Sequence, residues 1–173
     1  MQSTSNAQAL GPGARYEIDA TIADIYLVSN SNPESIVGRP TIYFVIDVFS
    51  RLVTGFYIGF ETPSYLAAIQ ALNIAMTDKV NYCAEYGISI QPEDWPAVGL
   101  PDALLADRGE LLGYQIEALE KTFAVRLENA PARRGDAKGI VEQAFNTYQA
   151  YFKKEGKGKG VVEGTTVKKT GGN

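Results

Sequence analysis

The chain has 173 residues, 45% apolar and 21% charged, enough for one domain with a sizeable core. It has no histidine and a single cysteine, Cys83, which excludes a zinc finger, a zinc-hydrolase site, imidazole acid–base chemistry and an intramolecular disulfide within this chain. No apolar run approaches the length of a membrane-spanning helix. The net charge of −4 is unevenly spread, with 5 Lys and Arg against 15 Asp and Glu in residues 1–120 and 11 against 5 in residues 121–173. Such a chain can hold cations in its acidic part and grip an anionic polymer with its basic end.

In chain order, Met1–Pro12 is small and polar. Without a basic start or an apolar core it is no signal peptide, and residues 1–14 read as a flexible lead-in. Arg15–Val28 alternates Tyr16, Ile18, Ala20 and Ile22 against Glu17, Asp19, Thr21 and Ala23, which is strand periodicity. Ser29–Arg39, rich in Asn, Ser, Pro and Gly, reads as a loop. Thr41–Val48 reads as a central strand and Leu52–Phe60 as its hairpin partner across Phe49-Ser50-Arg51. Ser64 is placed to cap one long helix running to about Tyr86, with Gly87 as its stop. Ile88–Pro101, with three prolines, reads as a loop in which Trp95 is a packing anchor. Leu104–Ala106 predicts a short buried strand, Leu111–Phe123 a helix, Val125–Leu127 a last strand, and Ala130–Arg134 a basic loop. A third helix starts at Asp136 and ends near Lys154. Residues 155–173 read as a basic Gly/Lys linker toward an absent C-terminal domain, leaving 15–154 as the core. The order β-β-β-α-β-α-β-α predicts an α/β domain, a mixed five-stranded sheet flanked by helices, compatible with a ribonuclease H-like fold.

Three acids sit where apolar elements meet polar sequence. Asp19 lies inside the first strand, although Asp is disfavoured in strands; Asp24 and Asp47 share that oddity and are rivals. Asp107 ends an apolar strand before a Gly turn, a common place for functional groups in α/β sheets, and Glu110 is its rival. Glu142 lies on the third helix in a polar stripe with Lys138, Asn146 and Gln149, beside the apolar stripe Val141, Phe145, Tyr148 and Phe152. Its plainer reading is an exposed i,i+4 pair with Lys138. Carboxylates gathered from separate elements hold Mg²⁺ ions that can clamp the attacking and leaving oxygens of an in-line displacement at phosphorus, so no histidine is needed. Cys83 reads as a small packed side chain in a helix.

These residues resemble a known family. Tyr16-Glu17-Ile18-Asp19-Ala20-Thr21, then Val45-Ile46-Asp47-Val48-Phe49-Ser50-Arg51, then Leu105-Ala106-Asp107-Arg108-Gly109-Glu110, then Lys138-Gly139-Ile140-Val141-Glu142 with Asn146 are similar to the catalytic core of the retroviral-integrase superfamily, the Asp-Asp-Glu recombinases. The 34 residues between Asp107 and Glu142 are close to that family's spacing. Ile18–Ser29 and Val37-Gly38-Arg39-Pro40 look like its TnsB-type transposase subgroup. The resemblance, over roughly Arg15 to Phe152, implies a ribonuclease H-like fold and two Mg²⁺ or Mn²⁺ ions held by a catalytic triad of Asp19, Asp107 and Glu142. It implies transposon-end and target DNA as substrates, cleavage at the 3′ ends, and transfer of the freed 3′-hydroxyl into target. It also implies self-assembly on DNA, a partner endonuclease subunit, an ATPase regulator and a bacterial cytoplasmic setting. By the same likeness Arg133, Arg134, Lys138 and Asn146 meet DNA, while Asp47 and Arg51 tie the hairpin. Two other readings stay open: a structure-selective nuclease on the same fold, and a non-catalytic DNA-binding or assembly module.

Overall fold

The computed structural model describes residues 11–62, 64–106, 120–129 and 135–163. Five strands form the main sheet: β1 (Tyr16–Ile22), β4 (Thr41–Asp47), β5 (Val53–Gly59), β6 (Ala103–Ala106) and β7 (Arg126–Asn129), in the order β5-β4-β1-β6-β7. Strand β4 runs antiparallel to both β1 and β5, and β6 and β7 run parallel to β1. Helices α1 (Tyr65–Met76) and α2 (Lys79–Glu85) precede β6, and α3 (Gly135–Gly156) follows β7. This is the mixed five-stranded sheet with helices that the order of elements predicts.

Alternation along the strands sorts residues onto two faces. Tyr16 and Ile18 of β1, Tyr43 and Val45 of β4, and Leu104 and Ala106 of β6 pack under the alanine-rich side of α1. Ile42, Phe44 and Ile46 of β4 pack under Ile140, Val141 and Phe145 of α3. Every residue of β4 is buried, because both of its faces are covered. Gly55 of β5 lets α1 approach closely: a Cβ there would lie 2.6 Å from the Ala75 nitrogen.

Several expectations from the sequence need amending. The continuous first strand breaks at Ala23–Asp24, and the chain turns into β2 (Ile25–Val28). β2 pairs with β3 (Ile36–Gly38), inside the expected loop, and with β8 (Val161–Glu163), inside the expected linker, as a separate three-stranded sheet. A three-residue strand exists only because of its partners, so neither had a local signature. The expected long helix is two helices. Ser64 caps α1 through Ala67 N–H as predicted, but Thr77 is extended and Asp78 caps α2 by accepting from the Asn81 N–H at 2.8 Å. Gly87 stands just past α2 at φ +72°, where glycine fits best.

Lys79 explains the break. Its ammonium is buried and donates to the carbonyls of Ile74, Ala75, Thr77 and Ala97, so it serves the orphan acceptors at the end of α1. Burial pulls its pKa down to about 8. Trp95 lies over the same ammonium at 5.2 Å and donates to the Val53 carbonyl at 2.7 Å, the anchoring role expected of it. Lys79→Met keeps the volume but orphans these acceptors, so it is expected to destabilise the fold by about 2–4 kcal/mol in urea unfolding. A loss under about 0.5 kcal/mol would refute the capping role.

Candidate active site

In the antiparallel pair β1–β4, Glu17 stands opposite Ile46, Asp19 opposite Phe44 and Thr21 opposite Ile42. Directly opposed residues point to one side of a sheet, and those three β4 residues lie under α3. Asp19 therefore faces the α3 side. Its Oδ1 accepts the N–H of Ala20 at 2.8 Å, which helps orient the carboxylate.

The placement of α3 follows from its stripes. Phe145 stacks on Phe44 with centroids 4.9 Å apart, and Tyr148 meets the same ring at 5.1 Å. Phe44 is the residue beside Asp19, so the middle of α3 crosses β1 and β4 at that level. Further along, Gln149 and Lys153 reach Asp24, two residues past the end of β1. Helix α3 thus runs in the sense of β1. Glu142 precedes Gln149 by seven residues, two turns, and so lies on the same flank, the one turned toward β1. It is exposed beside the fully buried Val141. The structure therefore places Asp19 and Glu142 on one side of the sheet, with α3 carrying Glu142 along the β1 side. Asn146 is exposed one turn further on.

Asp107, Glu110, Arg133 and Arg134 lie outside the described residues, as does the side chain of Lys138. Strand β6 ends with Ala106 beside Ile18, one residue short of the level of Asp19. Among the described residues no three His, Cys, Asp or Glu side chains are grouped to hold a metal ion.

Two rival acids have structural work. Asp47 accepts from the N–H groups of Gly13, Phe49 and Ser50 and from the Ser50 hydroxyl, so it holds the hairpin turn in which Arg51 adopts φ +65°. It also lines a cavity of about 550 Å³ with Tyr16, Thr54, Ala97 and Asp102. Tyr16 belongs to the α1 side, away from Asp19, so this cavity is not the site of the acidic residues. Asp24 pairs with Lys153 at 2.8 Å and with Arg39 at 3.7 Å. The hydrogen bond and charge of Lys153 hold its carboxyl below the usual range.

Glu17 is the residue that reading the sequence overlooked. It shares the face of Asp19, two positions away, and is only 6% exposed. Its Oε2 has no hydrogen-bond partner among the described residues. Burial, then the charge of Asp19, push its pKa up to about 7 against an opposing pull from Arg51. The available signal was the period-two pair Glu17–Asp19, which puts both acids on one face of one strand.

Comparison with known proteins bears on the family and the fold. Residues 17–158 match the TnsB C-terminal domain family. The chain is 61% identical over 171 residues to the Tn7 transposition protein TnsB of Escherichia coli, covering 99% of this chain and 24% of that protein. It is 22% identical over 142 residues to the transposase for transposon Tn552 of Staphylococcus aureus, covering 82% of this chain and 27% of that protein. The chain thus spans about a quarter of the length of each of these relatives. Among solved structures, the HTLV-2 integrase catalytic core domain in complex with magnesium matches with a TM-score of 0.52 at 13% identity, over 85% of this chain and 74% of that one. The simian T-cell lymphotropic virus intasome in complex with a PP2A regulatory subunit matches with a TM-score of 0.52 at 14% identity, over 84% of this chain and 43% of that one. The sheet order and its helices are those of a ribonuclease H-like fold shared with integrase cores, and the chain belongs to the TnsB C-terminal domain family.

Proposed function

We propose that this domain is the catalytic core of a DNA transposase, a polynucleotidyl transferase whose acidic triad is Asp19, Asp107 and Glu142. One observation carries the reading. Asp19 faces α3 from the middle of β1, and Glu142 lies on the flank of α3 turned toward β1, in a chain 61% identical to a transposition protein. Carboxylate oxygens are the donors that Mg²⁺ or Mn²⁺ takes, and the described pair fits that chemistry. Such ions, when bound, supply charge that activates a water or a 3′-hydroxyl and steadies the leaving oxygen. The HTLV-2 integrase core, which shares this fold, was solved in complex with magnesium.

The chain's own residues divide the work. Asp19 is held by the strand and by the Ala20 N–H, so it is preorganised. Glu142 comes from a separate helix whose apolar stripe fixes its face. Glu17 is buried two positions from Asp19 on the same face of β1. Arg133, Arg134, Lys138 and Asn146 are proposed to contact the phosphates of transposon-end and target DNA. The active form is proposed to be a multimer on DNA in a bacterial cell, working with an endonuclease subunit and an ATPase regulator. Among the described residues no helix is long and apolar enough to cross a membrane.

The test uses the full-length transposase with pre-cut transposon ends, a target plasmid and Mg²⁺. Joined product that disappears with chelator is expected. Cleavage without joining would favour the nuclease reading. Salt-sensitive DNA binding with neither product would leave an assembly module.

A further inference from the structure

We infer that Asp24, Gln149 and Lys153 form a positioning clamp that fixes the height of Glu142 over β1, and this rests on the metal-site reading above. Apolar packing chooses the face of α3, but the hydrophobic effect behind it is not directional. A hydrogen bond between fixed atoms has a preferred length and direction, and so specifies register.

Two bonds join α3 to one residue, Asp24, in the turn between β1 and β2. The Asp24 N–H donates to Gln149 Oε1 at 2.6 Å, and Lys153 Nζ lies 2.8 Å from Asp24 Oδ2. The receiving junction is itself held. Arg39 Nε donates to the Ala23 carbonyl at 2.8 Å, its guanidinium lies 3.7 Å from Asp24 Oδ1, and Ala23 is fully buried. Asp19 and Asp24 belong to one continuous run of backbone, and Glu142, Gln149 and Lys153 to one helix flank. Anchoring the Gln149 end of that flank therefore sets where its Glu142 end lies relative to Asp19, about 10 Å further up the helix at roughly 1.5 Å per residue. Asp24 is exposed and its ion pairs add little stability. Its contribution is alignment, and misplacing one ligand of a metal site weakens the site without unfolding the protein.

The test is Gln149→Leu in the full-length transposase, which removes the acceptor and leaves the apolar stripe intact. Mn²⁺ binding is read from the loss of the free-ion electron paramagnetic resonance signal, and strand transfer is measured alongside. Mn²⁺ affinity is expected to fall about 5–10-fold and turnover to fall with it, while the KM for DNA stays unchanged. Gln149→Glu, which keeps an acceptor oxygen, is expected to recover most of both. Gln143→Leu, exposed on another side of the same helix, is expected to change neither. If Gln149→Leu does not fold, Lys153→Met is read in the same way. Wild-type Mn²⁺ affinity in Gln149→Leu, even with a lowered Tm, overturns the clamp alone. A wild-type protein that takes up no Mn²⁺ overturns the metal-site reading and the clamp with it.

Discussion

Asp19→Asn in the full-length transposase is expected to lower strand transfer by about 10³-fold or more while leaving the metal-free protein as stable as wild type, or more so. The activity loss follows from the chemistry. An amide oxygen carries no formal charge, and a divalent ion held by few protein ligands loses much of its binding when one anionic ligand becomes neutral. Several kcal/mol of transition-state stabilisation correspond to about three powers of ten in rate. The stability change has the opposite sign for a local reason. Asp19 is one of the two causes that raise the pKa of Glu17, and its removal relieves repulsion between two acids on one strand face. Glu142→Gln and Asp107→Asn are expected to show the same loss of activity. Strand transfer within about tenfold of wild type in any one of the three removes that residue from the triad. A large fall in Tm for Asp19→Asn would make the residue structural.

The second large effect is on stability. In the absence of metal, Glu17→Gln is expected to stabilise the protein at about pH 8 and to do little at about pH 4. The sign follows from linkage. The carboxyl has an ordinary pKa of 4.5 when unfolded and about 7 when folded. Between those values the folded chain holds the proton more often than the unfolded chain, so stability is fully present below about pH 4.5 and is lost as pH rises toward 7. The loss is on the order of 3 kcal/mol for a shift of this size, as an upper bound. Glutamine stays neutral at every pH and escapes it, although its amide still meets the site where Oε2 lacks a partner among the described residues. The difference in urea-unfolding free energy between Glu17→Gln and wild type should therefore grow between pH 4.5 and about 7 and then level off. A difference independent of pH would show that Glu17 is not strained by its charge. Added Mn²⁺ should narrow the difference at about pH 8, since a nearby cation favours the carboxylate.

How much of this was legible in the residues depends on the range of each signal. The apolar run of β4 and the hairpin into β5 are local and come out within a residue of expectation, as does the start of β1, although its period-two pattern did not show the break after Ile22. The Ser64 cap and the Gly87 stop are local too, because each is set by one residue's conformational preference. The split between α1 and α2 is different. Helical periodicity continues through Thr77, and the break depends on Lys79 folding back under Trp95 from a loop far along the chain. Strand β8 pairs with β2 from the far end of the chain, so nothing near Val161 announces it.

By itself the sequence determined the alternation that puts Asp19 on a strand face, the stripes that put Glu142 beside the apolar side of α3, and the family to which both belong. Periodicity decides which residues share a face, because it is written into the geometry of each strand and helix. Which faces meet is decided by packing between distant segments. Only the tertiary structure turned the Glu142 flank toward β1 and anchored it to Asp24. Only the tertiary structure buried Glu17 beside Asp19 and assigned Asp47 to the hairpin turn. Those outcomes depend on contacts and dielectric surroundings that exist only once the chain has closed on itself.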